Sequence, residues 1–259
     1  SDPDGDPLGY TYQWYRADDS NGTNAASIAG ATSSSYTLTT SDAHKYLRVA
    51  VIANDGNSNT TTAYSAYTAI ANSLPVNSAV PSVSGKATVG NALTATDGTW
   101  SDADGDNRSF SYQWYRADDS NGTNGASISG ATGSNYTLTT SDAHKYLRVV
   151  VTANDGKGGT QSATSAYTAI LNSLPVNSAV PTVSGTATVG NALSTTDGTW
   201  SDADGDNRSF TYQWYRADDS NGTNGASISG ATGSSYTLTA SDAHKYLRVV
   251  VTANDGKGG

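Results

Sequence analysis

Asp102-Ala103-Asp104-Gly105-Asp106 sets three carboxylates at alternate positions of a five-residue run, and the pattern recurs at Asp202, Asp204 and Asp206. A third version, Asp-Pro-Asp-Gly-Asp, places Asp2, Asp4 and Asp6 near the start. Carboxylates at the first, third and fifth positions of a tight loop can converge on one calcium ion, which takes about six to eight oxygens. Crowded without a cation, they repel one another. Asp155 lies in a second turn, Asn154-Asp155-Gly156, with counterparts at Asp55 and Asp255. In a β-sandwich the two loops share one pole, so Asp155 is read as a fourth ligand. The competing reading is that these residues are turn formers that keep the loops soluble, because a short Asp side chain bonds nearby backbone.

The acidic loop resembles the opening of an EF-hand calcium loop and then departs from it. Asn107 stands at the sixth position, Gln113 stands where a bidentate Glu would be, and a strand pattern follows in place of a helix. If the site sits at a junction between copies, the preceding copy could add Asp18, Asp19 or Asp42. Asp118 and Asp119 open a second acidic loop, read as a solvated hairpin turn in preference to a weaker calcium site. Asn121-Gly122-Thr123, Asn107-Arg108-Ser109 and Asn135-Tyr136-Thr137 fit the glycosylation pattern, but such triplets arise by chance in an Asn/Ser/Thr-rich chain. His44, His144 and His244 are the three histidines, and each stands alone in a turn. They read as structural. A serine–histidine–carboxylate set needs a strained nucleophile turn and a pocket, and the sequence suggests neither, so no enzyme is expected. Trp114 reads as core, and Trp100 as core or as part of a sugar-stacking platform.

The elements that must position these loops repeat. Tyr-Gln-Trp-Tyr-Arg begins at Tyr12, Tyr112 and Tyr212, a period of one whole small domain. Residues 101–159 and 201–259 differ at three positions, Ser111/Thr211, Asn135/Ser235 and Thr140/Ala240. Pro-bearing segments at Asn72–Pro81 and Asn172–Pro181 read as short stiff linkers. The expected domains are 1–73 (partial), 74–173 (complete) and 174–259 (partial), which predicts a longer array around this segment. The net charge is −9, and all 23 acidic residues are Asp. That balance argues against nucleic acid and anionic membranes as partners. Cysteine is absent, which removes disulfides and thiolate metal sites. No apolar run is long enough for a membrane helix. Richness in Ser, Thr, Asn, Gly and Asp points outside the cell.

Short β-rich runs alternate with turn clusters across the middle copy, at Ser82–Thr88, Ala92–Thr96, Phe110–Ala117, Ser127–Ser129, Asn135–Thr140, Tyr146–Ala153 and Thr160–Ile170. Seven or so strands in one copy fit an immunoglobulin-like sandwich, and the fold class predicted is all-β, in tandem sandwiches arranged as an elongated array. Tyr112-Gln113-Trp114-Tyr115-Arg116 resembles the central strand whose Trp fills that core. Ser141–Tyr146 resembles the tyrosine corner. With Val89–Leu93, Gly130–Thr132 and Tyr136–Leu138, these segments resemble the tandem immunoglobulin-like repeats of large bacterial surface adhesins. Arg148 falls where antibody domains carry an inward cysteine, so the strand is expected to be shifted by one residue. The resemblance implies a non-enzymatic, extracellular, calcium-stiffened stalk whose partners are neighbouring copies. A self-assembling filament, with other copies of the chain as partners, and a carbohydrate-binding module are the alternatives.

Overall fold

The computed structural model describes residues 5–258. The candidates Asp2 and Asp4 lie outside the described residues. Asp and Gly, at 23 and 27 residues, punctuate the chain so often that no helical stripe can develop. Every regular element among the described residues is a strand, apart from three short 3₁₀ turns. No described helix is long and apolar enough to cross a membrane.

The first copy carries β1 (Gly9–Ala17), β2 (Ala26–Ser27), β3 (Tyr46–Asn54), β4 (Thr60–Tyr64) and β5 (Thr68–Ala69). The middle copy carries β6 (Val76–Ala79), β7 (Val83–Gly85), β8 (Ala92–Ala95), β9 (Thr99–Ser101) and β10 (Ser109–Ala117). It continues with β11 (Ala126–Ser127), β12 (Asn135–Thr137), β13 (Tyr146–Asn154), β14 (Thr160–Thr164) and β15 (Thr168–Ala169). The third copy adds β16 (Val176–Ala179), β17 (Val183–Gly185), β18 (Ala192–Thr195) and β19 (Thr199–Ser201). It ends with β20 (Ser209–Ala217), β21 (Ala226–Ser227), β22 (Ser235–Thr237) and β23 (Tyr246–Asn254). The chain forms two compact units: residues up to 82 with 96–113 and 149–165, and residues 83–95 and 114–148 with 166 onward. The dividing line crosses the middle copy, so each junction between successive copies lies whole within one unit.

In the second unit, the third copy shows how one repeat closes. One sheet runs β17-β18-β22 and the other β21-β20-β23. Leu193 of β18, Trp214 of β20, Ala231 and Leu238 form the core, packed by Ile228, Tyr236, Leu247 and Val249. Trp214 is fully buried, and its indole N–H donates to the Gly233 carbonyl at 3.0 Å, which satisfies the one polar atom it brings inside. The middle copy repeats this order as β7-β8-β12 and β11-β10-β13-β14. Two antiparallel sheets closing over a core Trp of the central strand match an immunoglobulin-like sandwich. In the first unit, β2-β1-β3-β4 forms the corresponding larger sheet of the first copy.

Leu147, Val149, Val151 and Ala153 are buried in β13 while Tyr146, Arg148 and Val150 alternate outward, the one-residue offset that Arg148 demanded. Arg148 lies over the Tyr115 and Tyr167 rings at 5.5 and 4.9 Å, a cation–π stack on the outer face. The corner before β13 is tied by Asp142 rather than by Tyr146. Asp142, fully buried, accepts from Arg116 Nε at 2.7 Å, Tyr136 Oη at 2.9 Å and the Thr139 N–H at 2.7 Å. That last bond takes the Thr139 N–H away from the ladder, so the strand expected over Asn135–Thr140 stops at Thr137 and a 3₁₀ turn follows.

Three further boundaries differ from expectation. The run Thr160–Ile170 splits into β14 and β15, because the Ser165 hydroxyl accepts the Val149 N–H at 3.0 Å where a ladder carbonyl would. The strand expected over Ser82–Thr88 contracts to β7. The segment read as a linker contains β6, paired with the unexpected β9. The β16–β19 pair of the third copy repeats that arrangement, with a register shift between Asn177 and Ala179. The Asn177 side-chain amide bonds the Ala179 and Thr199 carbonyls at 2.9 and 3.1 Å. A side chain thus replaces lost ladder bonds, a substitution that hydropathy alternation does not register.

Candidate functional site

The acidic loop closes on itself first. Asp102 Oδ1 accepts the Asp104 N–H at 2.8 Å, and its backbone carbonyl accepts the Gly105 N–H at 3.2 Å. Gly105 has φ +79°, a conformation that an L side chain rarely adopts. The turn presents Asp104 and Asp106 outward, and the preceding copy meets both. The Ser73 N–H and hydroxyl donate to Asp104 at 2.5 and 2.9 Å. His44 Nε2 lies 2.8 Å from Asp106 Oδ2. His44 follows the 3₁₀ turn Thr40–Asp42 in a left-handed conformation, φ +58°, which aims its ring off the turn.

The second loop holds the linker beside this contact. Asn72 Nδ2 donates to Asp155 Oδ2 at 2.8 Å. Asp155 also accepts the Lys157 and Gly159 N–H groups at 2.7 and 2.8 Å. The Asn72 bond is the largest influence on Asp155. With the two N–H groups it outweighs burial and holds the carboxyl below its usual value. A Cβ on Gly159 would stand 1.9 Å from Asp155 Oδ2, so a larger residue there would push the carboxylate off Asn72, and in the first copy, where Asn59 takes this place, Asp55 bonds within its own turn instead.

In the second unit the same parts recur. The Ser173 N–H and hydroxyl donate to Asp204 at 2.5 and 3.1 Å, Asn172 Nδ2 donates to Asp255 Oδ2 at 2.8 Å, and His144 Nε2 lies 2.8 Å from Asp206 Oδ2. His144 has φ +59°. In each junction, two acceptor oxygens are buried without a hydrogen-bond partner: Asn72 Oδ1 and Asp102 Oδ2, then Asn172 Oδ1 and Asp202 Oδ2.

Asp104 and Asp106 come together with His44, and Asp204 and Asp206 with His144, their ligand atoms within 4.8 Å of one another. Asp102 and Asp202 brace the same loop. Asp155 and Asp255 grip the linker. Asp55 instead accepts from Asn59 Nδ2 at 2.8 Å within its own turn, and Asp6 accepts from Asn57 Nδ2 at 2.9 Å. The three aspartates suggested from the preceding copy have other partners. Asp18 pairs with Lys45 at 2.6 Å, Asp19 accepts the Asn21 and Thr23 N–H groups, and Asp42 is buried against Arg16, Tyr36 and Thr39. The sequence reading set the histidines aside as isolated. The available signal was that a histidine and an acidic loop each recur once per copy, in turns at opposite poles, so that successive copies bring them face to face. Trp100 is 8% exposed, donates to the Asp97 carbonyl at 2.7 Å and packs on Phe110. That environment is a core one and offers no face for a sugar ring.

Fold and junctions together define a tandem array of immunoglobulin-like β-sandwich repeats. Residues 80–172 match the family model described as "Domain of unknown function (DUF8696)". No curated protein matches the chain. Among solved structures the chain is similar to the chicken CNTN1 FN1-FN3 domains, at 15% identity over 96% of this chain and 84% of that one, with a TM-score of 0.23.

Proposed function

We propose that the chain is a non-enzymatic, extracellular structural array, a spacer segment of a bacterial surface adhesin whose successive copies are locked at their junctions. The observation that carries this reading is the duplication of the junction: the same serine, asparagine and histidine meet the same three aspartates twice. Copies that repeat one contact in series serve a function in which output is length. The −9 charge and the resemblance of the repeats to those of surface adhesins support an extracellular setting.

A divalent cation completes the junction in this reading, and calcium is the ion the acidic loop suggests. Asp102, Asp104 and Asp106 would hold it, with Asp202, Asp204 and Asp206 at the second junction. The acidic loop's buried, unpaired Asp102 Oδ2 is an oxygen of the kind a hard ion takes. Bound, it would neutralise the clustered carboxylates and tie loop to linker. The test is calorimetry and small-angle scattering on the full chain. Millimolar calcium is expected to raise the melting temperature by several degrees and narrow the distribution of dimensions, and Asp102→Ala/Asp104→Ala to abolish the first junction's share. No heat of binding and an unchanged profile would defeat the calcium part. Dimensions that spread as a flexible string, with or without the ion, would defeat the spacer.

A further inference from the structure

We propose that each junction, whose carboxylates alone would admit calcium at millimolar concentration, binds a borderline first-row divalent ion of the zinc type more tightly and yields to it where both are present. Its ligands are His144 Nε2 with the Asp204 and Asp206 carboxylates, and His44 Nε2 with those of Asp104 and Asp106. The inference rests on the junction being the element that locks successive copies, and it names the ion that element selects.

The donor set decides the metal. Calcium takes oxygen ligands, whereas imidazole nitrogen suits zinc, nickel and copper. One imidazole and two carboxylates supply three ligands, the number that leaves a tetrahedral zinc one open position. The three ligand atoms already lie within 4.8 Å of one another at both junctions. Zinc bonds of about 2.0–2.2 Å place tetrahedral ligand atoms about 3.3 Å apart. The His144–Asp206 contact at 2.8 Å therefore opens by about half an ångström to admit the ion.

Independent features prepare the cluster. Asp204 is 6% exposed, and the Ser173 N–H and hydroxyl orient its carboxylate as outer partners of metal ligands do. The turn that carries His144 is left-handed there, φ +59°, as in the other copies, and the ring reaches the following copy with Nε2 2.8 Å from Asp206 Oδ2. Because ligands come from two copies, the ion would join them directly rather than stabilise one loop.

The test is titration of the metal-free full chain with zinc, in competition with millimolar calcium, followed by cobalt as a spectroscopic substitute. Expected are two zinc ions per chain at micromolar concentration, undisturbed by calcium, and a visible cobalt spectrum showing nitrogen and oxygen ligands. Asn tolerates the left-handed backbone, so His144→Asn keeps the fold and is expected to reduce the count to one, with His44→Asn in addition reducing it to none. His244→Asn, outside both clusters, is expected to leave it at two. Zinc binding unchanged in the double variant, or no binding at these concentrations, overturns the proposal and leaves the His–Asp contacts as ion pairs. Two bound zinc ions that leave the scattering dimensions broad uphold the site while overturning the spacer reading. Narrow dimensions without zinc binding do the reverse.

Discussion

At the residue scale, one buried carboxylate per copy decides how the turn before the long strand is built. Asp42, Asp142 and Asp242 are 0%, 0% and 6% exposed, and each is held by an arginine, a tyrosine and a threonine. Burial is the largest single influence on Asp42 and Asp242 and pushes them up. Bonds from Thr39 and Thr239, from Arg16 and Arg216, and from Tyr36 and Tyr236 outweigh it and hold both below the usual carboxylate value. A lowered folded value means stabilisation that is complete above the unfolded value near 3.9 and is lost as pH falls through the folded one. Asp242→Asn is therefore expected to cost about 2–3 kcal/mol at pH 7, and its deficit against the parent to shrink as the pH falls below the unfolded value near 3.9. Thermal melts across that range read both. A deficit independent of pH would mean that the carboxylate's charge contributes nothing.

At the element scale, the sandwich was legible from Trp114 and from the alternation of Leu147, Val149 and Val151, because a half-buried strand writes its period of two directly into the sequence. Arg148 was legible as an outward residue for the same reason. The strands β6 and β9 were not. They are short and mostly exposed, and the Asn77 amide bonds the Ala79 and Thr99 carbonyls to help hold them, so no apolar alternation marks them. The acidic loop was legible as a carboxylate cluster because its spacing is local. The histidine was not, since it meets that loop from 62 residues away. One glycine makes the β6–β9 pair testable. Gly98 has φ +83°, and a Cβ there would stand 2.3 Å from the Ala79 carbonyl oxygen. Gly98→Ala is expected to cost about 2 kcal/mol and to speed amide exchange across Val76–Ala79, with the core signals of Trp114 unchanged. Unaltered exchange there would show that the pair contributes nothing to the fold.

At the scale of the whole molecule, the spacer reading makes length additive. Strands rising about 3.3 Å per residue give a module some 35–45 Å long, so each added copy is expected to extend the maximum dimension by one such increment. Scattering from chains lengthened copy by copy reads this, and increments that shrink as copies are added would indicate folding back. The linker bonds carry a mechanical consequence. Ser73 and Asn72 grip two loops of the following copy through Asp104 and Asp155, and Ser173 and Asn172 do so through Asp204 and Asp255. Along the chain these few polar bonds lie between the last strand of one copy and the first strand of the next. Under a pull they would part first and re-form on release, so each joint would act as a shallow, resettable spring that gives a little under load and spares the sandwiches from unravelling.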